Sequence, residues 1–546
     1  MNFSHIERIQ NISSMEEDVF DLAIIGGGIT GAGIARDAAS RGMKVALLEA
    51  KDFAIGTSSR SSKLIHGGIR YLENFEFHLV FEALAERSLL FEMAPHLVHP
   101  LRFVIPIYES SRVGFWKMAA GMWVYDLLAM LETPQMHEAL SSEETKIRLP
   151  ELGADQLRGS FEYSDAYMDD DRLVIETLRD AQRLGAKLTN YTKVTSVEKD
   201  GDYISSLNVE DSVGNKSFSV KAKQIIGSVG PWTDIFGETV VDSWKKKLRP
   251  TKGVHITFSR ERLPVSRAVV MAVETRIIFV IPRNEMVIVG TTDTDFNNDP
   301  YDVSTEKQDV EYILKAVNEY FPNLKLIEED IIGCYSGVRP LVNDGSESEG
   351  KTSREHSIFS EGPNLSFVAG GKYTTYRKIS EDSVDFVLKK MSFEEKMSFA
   401  PSDTKKPLNP MVTQAEFTKV KLEKESLSKE YNFSLKVIDQ LIERHGKEAI
   451  NILNLMKEEY SLHNELEALW MGEAQFSIDK ELCLSLEDFY WRRSPLFLSH
   501  KDHRLEYVDV ISKVFGKNYQ WSEEEKRLKV EQLKKQIKKE THWKKD

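Results

Sequence analysis

The chain has 546 residues, room for about three or four domains, and its 29% charged and 41% hydrophobic content belongs to a folded protein, not a disordered one. A formal net charge of −14 excludes nucleic acid as the main partner, because a phosphate polymer would be repelled overall. Two distant cysteines, Cys334 and Cys483, support neither a disulfide framework nor a cysteine zinc site and fit a reducing cytoplasm.

In chain order, the N-terminal stretch before Val19 lacks the basic and apolar regions of a secretory signal and is expected to be a mobile arm. Residues Asp21 to Glu49 then read as an apolar strand, a glycine turn, a helix and a second apolar strand ending in an acid. Gly26, Gly28 and Gly31 fit G-x-G-x-x-G: a tight turn, close approach of backbone to a pyrophosphate, and close packing of helix on sheet. The helix N-terminus favours an anion, and Glu49 stands where a carboxylate accepts from a ribose 2′-hydroxyl. Strand, helix and acid agree, so the segment is read as a dinucleotide-binding unit.

A serine- and glycine-rich loop follows, Gly56 to Glu73, and then helical periodicity from Phe75 to Met93. The segment Val113 to Leu131 carries only Lys117 and Asp126 as charges among tryptophans, phenylalanine, methionines and leucines. That composition suits a helix lying in a bilayer interface, the alternatives being a buried helix or the face of a homodimer. No run reaches eighteen uninterrupted apolar residues, so no membrane-spanning helix is expected. Asp170 to Leu184 reads as an amphipathic helix, and Lys223 to Val229 as a parallel strand delivering Gly230-Pro231 to a ligand site. Alternation from Val254 to Thr291 predicts a mixed sheet, with further strands at Ile331–Pro340 and Leu365–Ala369. Ala400 to Pro410 reads as a linker, and the remainder as helical. The end from Lys526 carries nine Lys or Arg against three acids, a pattern that fits either an anionic lipid surface or a solvated final helix. No histidine or acid cluster has metal-ligand spacing, so no metal is expected.

The first βαβ unit alone does not separate FAD from NAD. The break after Glu49 does: an NAD enzyme would continue the β/α alternation, whereas an interrupted binding domain suits a flavin gripped by distant segments. Four stretches, IGGGITGAGIARDAASRG (Ile25 to Gly42), SSKLIHGGIRYLE (Ser61 to Glu73), YSGVRPL (Tyr335 to Leu341) and GGKYTTYRK (Gly370 to Lys378), stand in one order. In this the chain resembles the FAD-dependent glycerol-3-phosphate dehydrogenases, aerobic and membrane-associated, among the glucose-oxidase-like and D-amino-acid-oxidase-like flavoproteins. Ser380 departs from the alanine usual there, and the long insertion of some oxygen-using glycerophosphate oxidases is absent.

The resemblance implies an α/β fold in three parts. A discontinuous Rossmann-like FAD-binding domain would comprise residues 15–80, 160–245 and 350–392, and a mixed-sheet substrate domain residues 81–159 and 246–349. Residues 411–546 would form an α-helical C-terminal domain. It implies oxidation of glycerol 3-phosphate to dihydroxyacetone phosphate, with electrons passed to a quinone, in a cytoplasmic protein peripherally bound to the inner face of the cell membrane. An oxidase using oxygen, a flavoenzyme acting on a 2-hydroxy acid or amino acid, and a non-catalytic flavin-binding scaffold are the alternatives.

Oxidising a phosphorylated secondary alcohol needs a base for the hydroxyl proton and cations of fixed geometry for the phosphate. Arg70, Tyr71, Arg339, Arg354 and Lys372 are the substrate-binding candidates, with Lys372 and Arg339 also near the chemistry. His255 is favoured as base over His66, which is expected beside the flavin; either could instead be a core histidine. For the cofactor, Gly26, Gly28, Gly31 and Glu49 are expected to hold the ADP half and Thr57, Ser58 and Ser59 the pyrophosphate and ribityl oxygens. Ser62 and Lys63 are expected at the ring, Val194 near adenine, and Gly230, Trp232, Gly371 and Thr374 along the remaining edge.

Overall fold

The computed structural model describes residues 3–130, 133–274, 276–343 and 355–545. Two large sheets and a helical C-terminal unit make up the architecture. The first sheet is built on β1 (Val19–Ile25), β2 (Val45–Leu48), β7 (Lys187–Thr189), β10 (Lys216–Gly227), β17 (His356–Ser360) and β18 (Leu365–Gly370), in the order β17-β18-β10-β1-β2-β7. All its pairs are parallel except β17 with β18. β8 (Thr192–Asp200) and β9 (Tyr203–Asp211) extend the long β10 as an antiparallel ribbon. β1 is apolar along its buried half because both faces of the sheet are covered, one by helices and the other by the β8–β9 ribbon together with the helix His5–Glu17. It lies between β10 and β2, so the strand order reverses at its carboxyl end, where open α/β sheets bind ligands.

The second sheet runs β15-β11-β14-β13-β12-β4-β6-β3, with β16 on the free side of β11 and β5 beside β6. Its strands are β3 (Leu64–Ile65), β4 (Val98–Tyr108), β5 (Glu138–Ser141), β6 (Leu157–Met168), β11 (Leu248–Ser259), β12 (Ala268–Val273), β13 (Arg276–Arg283), β14 (Met286–Gly290), β15 (Thr294–Asp295) and β16 (Ile331–Val342). One parallel pair, β12 with β4, makes it mixed, as the alternation predicts. β6 lies wholly in this sheet, although its residues from 160 onward were expected with the dinucleotide domain. Along β11 the side chains alternate: Val254, Ile256 and Phe258 pack on the helix Lys307–Tyr320, which leaves Gly253 and His255 on the opposite face.

Three expectations about the ends and joints are corrected. The N-terminal arm is not mobile: α1 (His5–Glu17) is docked by Ile12 and Met15 in the core and by buried Arg8, which donates to the Asn190 carbonyl and pairs with Asp211 at 2.5 Å. The Ala400–Pro410 linker is instead a strap along α2 (Ile29–Ser40), since buried Arg36 donates to the carbonyls of Thr404 and Lys406. The basic tail is neither a lipid arm nor a solvated helix throughout. In the last helix, Glu523–Glu540, Val530, Leu533 and Ile537 face the C-terminal core, and Trp543 beyond it is fully buried in the core under the second sheet. The C-terminal unit is tied to the first sheet by Asp52, which is buried between Arg492 and Arg493 at 2.5 and 3.0 Å. Burial alone would raise the Asp52 pKa, but the two guanidiniums outweigh it and hold the carboxyl below the usual range.

Candidate active site

The glycine turn after β1 leaves no space for side chains. A Cβ on Gly31 would lie 2.0 Å from the Gly26 carbonyl oxygen, and Gly26 itself has φ +110°, a conformation suited to glycine. α2 begins at Gly28, which offers no capping side chain; the Ile29 N–H instead donates to Ser58 Oγ at 3.0 Å. A helix N-terminus capped this way is a ready anion site. Glu49 accepts from the N–H groups of Gly27 at 2.7 Å and Lys51 at 2.9 Å, which aims its carboxylate across the turn. A carboxylate offers about four acceptor positions, so lone pairs remain for ribose hydroxyls. Burial raises the Glu49 pKa, opposed by those two N–H groups. Val194 is buried on β8, two residues beyond the point where the Thr192 N–H meets the Glu49 carbonyl. Gly230 has φ +55°, and Trp232 lies over Gly56, stacks obliquely on Tyr301 at 4.4 Å and donates to Asp299 at 3.3 Å. These residues fit a bound dinucleotide.

The Gly56–Glu73 loop leaves this crevice and crosses the second sheet. The sheet face beneath it is set by register. His255 on β11 is opposite Tyr335 on β16 and Gly290 on β14, and Gly290 is opposite Phe279 on β13. Directly paired residues share a face, so these four make one row. Two residues along, Gly253 lies opposite Gly337, and two further Thr251 lies opposite Arg339. The His255 ring stacks on Tyr335 at 4.7 Å, and its Nε2 lies 2.9 Å from Ser62 Oγ. Burial first, then the charges of Arg339 and Lys63, push its pKa well below the ordinary 6.5, so the imidazole is neutral at neutral pH. That is the form a general base requires.

The Arg339 guanidinium lies over Gly253: a Cβ there would come within 2.4 Å of Nη2. Both terminal nitrogens are held, Nη1 by Asp293 at 2.9 Å and Nη2 by Thr291 Oγ1 at 2.9 Å, with the Thr292 carbonyl accepting from each at 3.3 Å. Arg339 is about one-fifth exposed, so this fork reaches solvent as well as the sheet. Around the loop's far end, the Lys372 ammonium sits 3.7 Å over the Tyr71 ring, and Tyr71 in turn packs against Gly68. Arg70 beside it is exposed. His66 is half-buried with its ring 6.4 Å from Phe279, the end of the His255 row. Thr374 both accepts from the His66 N–H at 3.2 Å and donates to its carbonyl at 3.4 Å, which joins the GGKYTTYR turn to the LIHGG loop. Gly371 there has φ +89°. The LIHGG loop is also pinned from α4 (Phe115–Leu128), because the Gly67 N–H donates to Tyr125 Oη, which donates to Asp165.

The side chains of two cofactor candidates have partners within the protein. Lys63 is buried, ion-paired with Asp170, and donates to the Ser59 carbonyl. Thr57 Oγ1 donates to the Val338 carbonyl at 2.5 Å, so its proton is committed to β16. Arg354 lies outside the described residues. Sequence reading also passed over Tyr335, Gly253, Asp293 and Asp170. Tyr335 and Arg339 were legible in principle, four apart on one strand and therefore on one face. Asp170 and Asp293 were not, because only the folded chain brings them to their partners. Among the described residues no group of histidine, cysteine or acids could hold a metal ion.

Comparison with known proteins gives the family and the fold. The model of the family described as FAD dependent oxidoreductase matches residues 21–377, and that of the C-terminal domain of alpha-glycerophosphate oxidase matches residues 415–526. The aerobic glycerol-3-phosphate dehydrogenase of Bacillus subtilis is 34% identical over 98% of this chain and 97% of its own. That of Staphylococcus aureus (strain MRSA252) is 33% identical over 99% and 98%. The solved glycerol-3-phosphate dehydrogenase from Bacillus halodurans, complexed with FAD, superposes with a TM-score of 0.80 at 28% identity, covering 98% of both chains. The L-alpha-glycerophosphate oxidase from Mycoplasma pneumoniae, at 18% identity, a TM-score of 0.54 and coverage of 68% of this chain and 95% of its own, shares the fold.

Proposed function

The chain belongs to the FAD-dependent glycerol-3-phosphate dehydrogenase family, and we propose that it oxidises sn-glycerol 3-phosphate to dihydroxyacetone phosphate with a quinone as final acceptor. The observation that carries this reading is the shared face on which Arg339 and His255 lie, a phosphate-binding fork and a neutral imidazole four residues of strand apart. FAD, when bound, supplies the acceptor for a hydride from C2 of the substrate. Arg339 takes phosphate oxygens through its fork, with Arg70 and Lys372 as the further cations around the same anion. His255 accepts the C2 hydroxyl proton at Nε2, exchanging its hydrogen bond with Ser62 for one to substrate. His66, tied to Thr374, lines the same loop and orients it. Gly26, Gly28, Gly31, Glu49 and Ser58 hold the ADP portion, and Ser59, Gly230, Trp232, Gly371 and Thr374 border the remainder.

A quinone acceptor gives the protein reason to meet a bilayer. Among the described residues no helix is long and apolar enough to cross one. What supports peripheral contact is α4 and its neighbourhood: Trp116, Trp123 and Leu127 are exposed, as are Phe75, Phe77 and Phe81 nearby. Asp126, the helix's one acid, is buried against His137, so Lys117 is the charge left on that surface. The matching C-terminal model bears an oxidase's name, so oxygen is the second acceptor to test. Anaerobic addition of glycerol 3-phosphate to the FAD-loaded protein is expected to bleach the flavin absorbance; an unchanged spectrum refutes the substrate. A quinone analogue should then reoxidise it faster than air does. Peroxide formed at the full turnover rate would replace quinone by oxygen.

A further inference from the structure

The last turn of the chain reaches the loop that joins the two halves of the site. Glu540 closes the final helix with its carboxylate 95% shielded from solvent. It accepts from Arg60 Nη2 at 2.9 Å and from Nη1 at 3.4 Å, across 480 positions of sequence. Arg60 Nη1 also donates to the Ser336 carbonyl at 2.9 Å, on the open edge of β16. Beyond Glu540, the Trp543 indole N–H donates to Cys334 Sγ at 3.1 Å, and Cys334 donates to the Glu540 carbonyl at 3.1 Å. The tail is thus fixed to the back of β16 while its carboxylate grips Arg60 at the edge.

Arg60 is the centre of a six-residue segment with a contact in every part of the site. Thr57 donates to the Val338 carbonyl, Ser58 accepts from the first N–H of α2, Ser61 donates to Asp170 at 2.7 Å, and Ser62 meets His255. The segment rests directly on β16, where a Cβ on Gly337 would come within 2.8 Å of Arg60 Cβ and 2.9 Å of its carbonyl. Among the described residues the Arg60 guanidinium is held by the Ser336 carbonyl and by Glu540, and Glu540 supplies its counter-charge.

We propose that Glu540 is a positioning residue for the FAD site: through Arg60 it holds residues 57–62 in register between the N-terminus of α2 and His255, so that cofactor affinity is set partly by the chain's last turn. The proposal concerns FAD, and stands whichever substrate or acceptor is used. Releasing Arg60 frees the segment to lift from β16, and Ser58 then leaves the α2 N-terminus that receives the pyrophosphate. Trp543 and Cys334 keep the tail in place.

The test is FAD titration of the full-length apo-protein, followed by quenching of flavin fluorescence. Glu540→Gln and Arg60→Gln are each expected to weaken FAD binding by roughly ten- to a hundredfold, the span of a charge-assisted hydrogen bond. The double variant should be no worse than either single one, because both remove the same contact. Val530→Ala, in the same helix and remote from Arg60, serves as control for lost stability. Two results overturn the proposal: FAD affinity unchanged in Glu540→Gln, or affinity lost equally in Val530→Ala at a matched melting temperature. Should Glu540→Gln fail to fold, Trp543→Phe keeps the packing, and hydrogen exchange of residues 57–62 in Arg60→Gln apo-protein decides. Faster exchange there than in the native apo-protein supports the latch, and equal exchange overturns it.

Discussion

Replacing Gly253 by alanine tests whether Arg339 is placed by the floor beneath it. The added Cβ would stand 2.4 Å from Nη2, 2.7 Å from Cζ and 2.7 Å from Thr291 Oγ1. Restoring an ordinary contact of about 3.4 Å requires the guanidinium to move by about 1 Å. Being the far end of a flexible side chain, it can swing, so global stability should fall by only about 1 kcal/mol. The swing breaks its alignment with Thr291 and Asp293, and a charged hydrogen bond is worth about 1.5–3 kcal/mol. If that alignment presents the fork to a phosphate, the KM for glycerol 3-phosphate rises by roughly 10- to 150-fold while FAD stays bound. Steady-state kinetics on the FAD-saturated variant, with the melting temperature measured in parallel, reads both quantities. A KM within twofold of the native value, with FAD retained, refutes the placement of the phosphate at Arg339.

Gly31→Ala meets a backbone carbonyl at 2.0 Å, which cannot swing aside, so the variant is expected to purify without FAD; a yellow protein with native absorbance counts against the cradle. Asp52→Asn strips two buried guanidiniums of their counter-charge and should cost about 3–5 kcal/mol in urea unfolding; a loss under about 1 kcal/mol would show the pair is not holding the C-terminal unit. The kcat/KM profile tests His255. Since burial and the charges of Arg339 and Lys63 lower its pKa, the neutral base persists below 6.5 and activity falls only in more acid solution. Arg339→Ala removes one of those charges and should move that acid limb upward; a downward shift would assign the limb to another group. Arg8→Ala leaves Asp211 buried without its partner and should open the region of residues 17–19 to limited proteolysis, whereas native resistance would mean α1 is held by its apolar side alone.

What could be read from sequence was whatever a local pattern dictates. The turn at Gly26–Gly31, the acid at Glu49 and the strand at Tyr335–Arg339 are each specified by near neighbours, and each stands where the pattern puts it. Register is not local. That His255 falls in a row with Tyr335, Gly290 and Phe279 depends on how three strands slide past one another, and no single strand records it. Charge misled wherever its partner is distant. Arg8, near the start of the chain, is buried because Asp211 lies across the ribbon, and Lys63 is buried because Asp170 pairs with it. The tail's lysines were conspicuous, yet the stripe of Val530, Leu533 and Ile537 decides where it packs.

The first sheet interleaves β1 and β2 from the start of the chain with β10 and β18 from its middle and later parts. Its central strand therefore lacks a neighbour until translation has passed residue 227, and β10 lacks one until it has passed residue 370. During synthesis at about 5–20 residues per second, the nascent glycine turn waits many seconds before its crevice is complete. Cofactor uptake on the ribosome is thus confined to polypeptides that have grown past residue 370, and products terminated before that point should accumulate as colourless, protease-sensitive fragments.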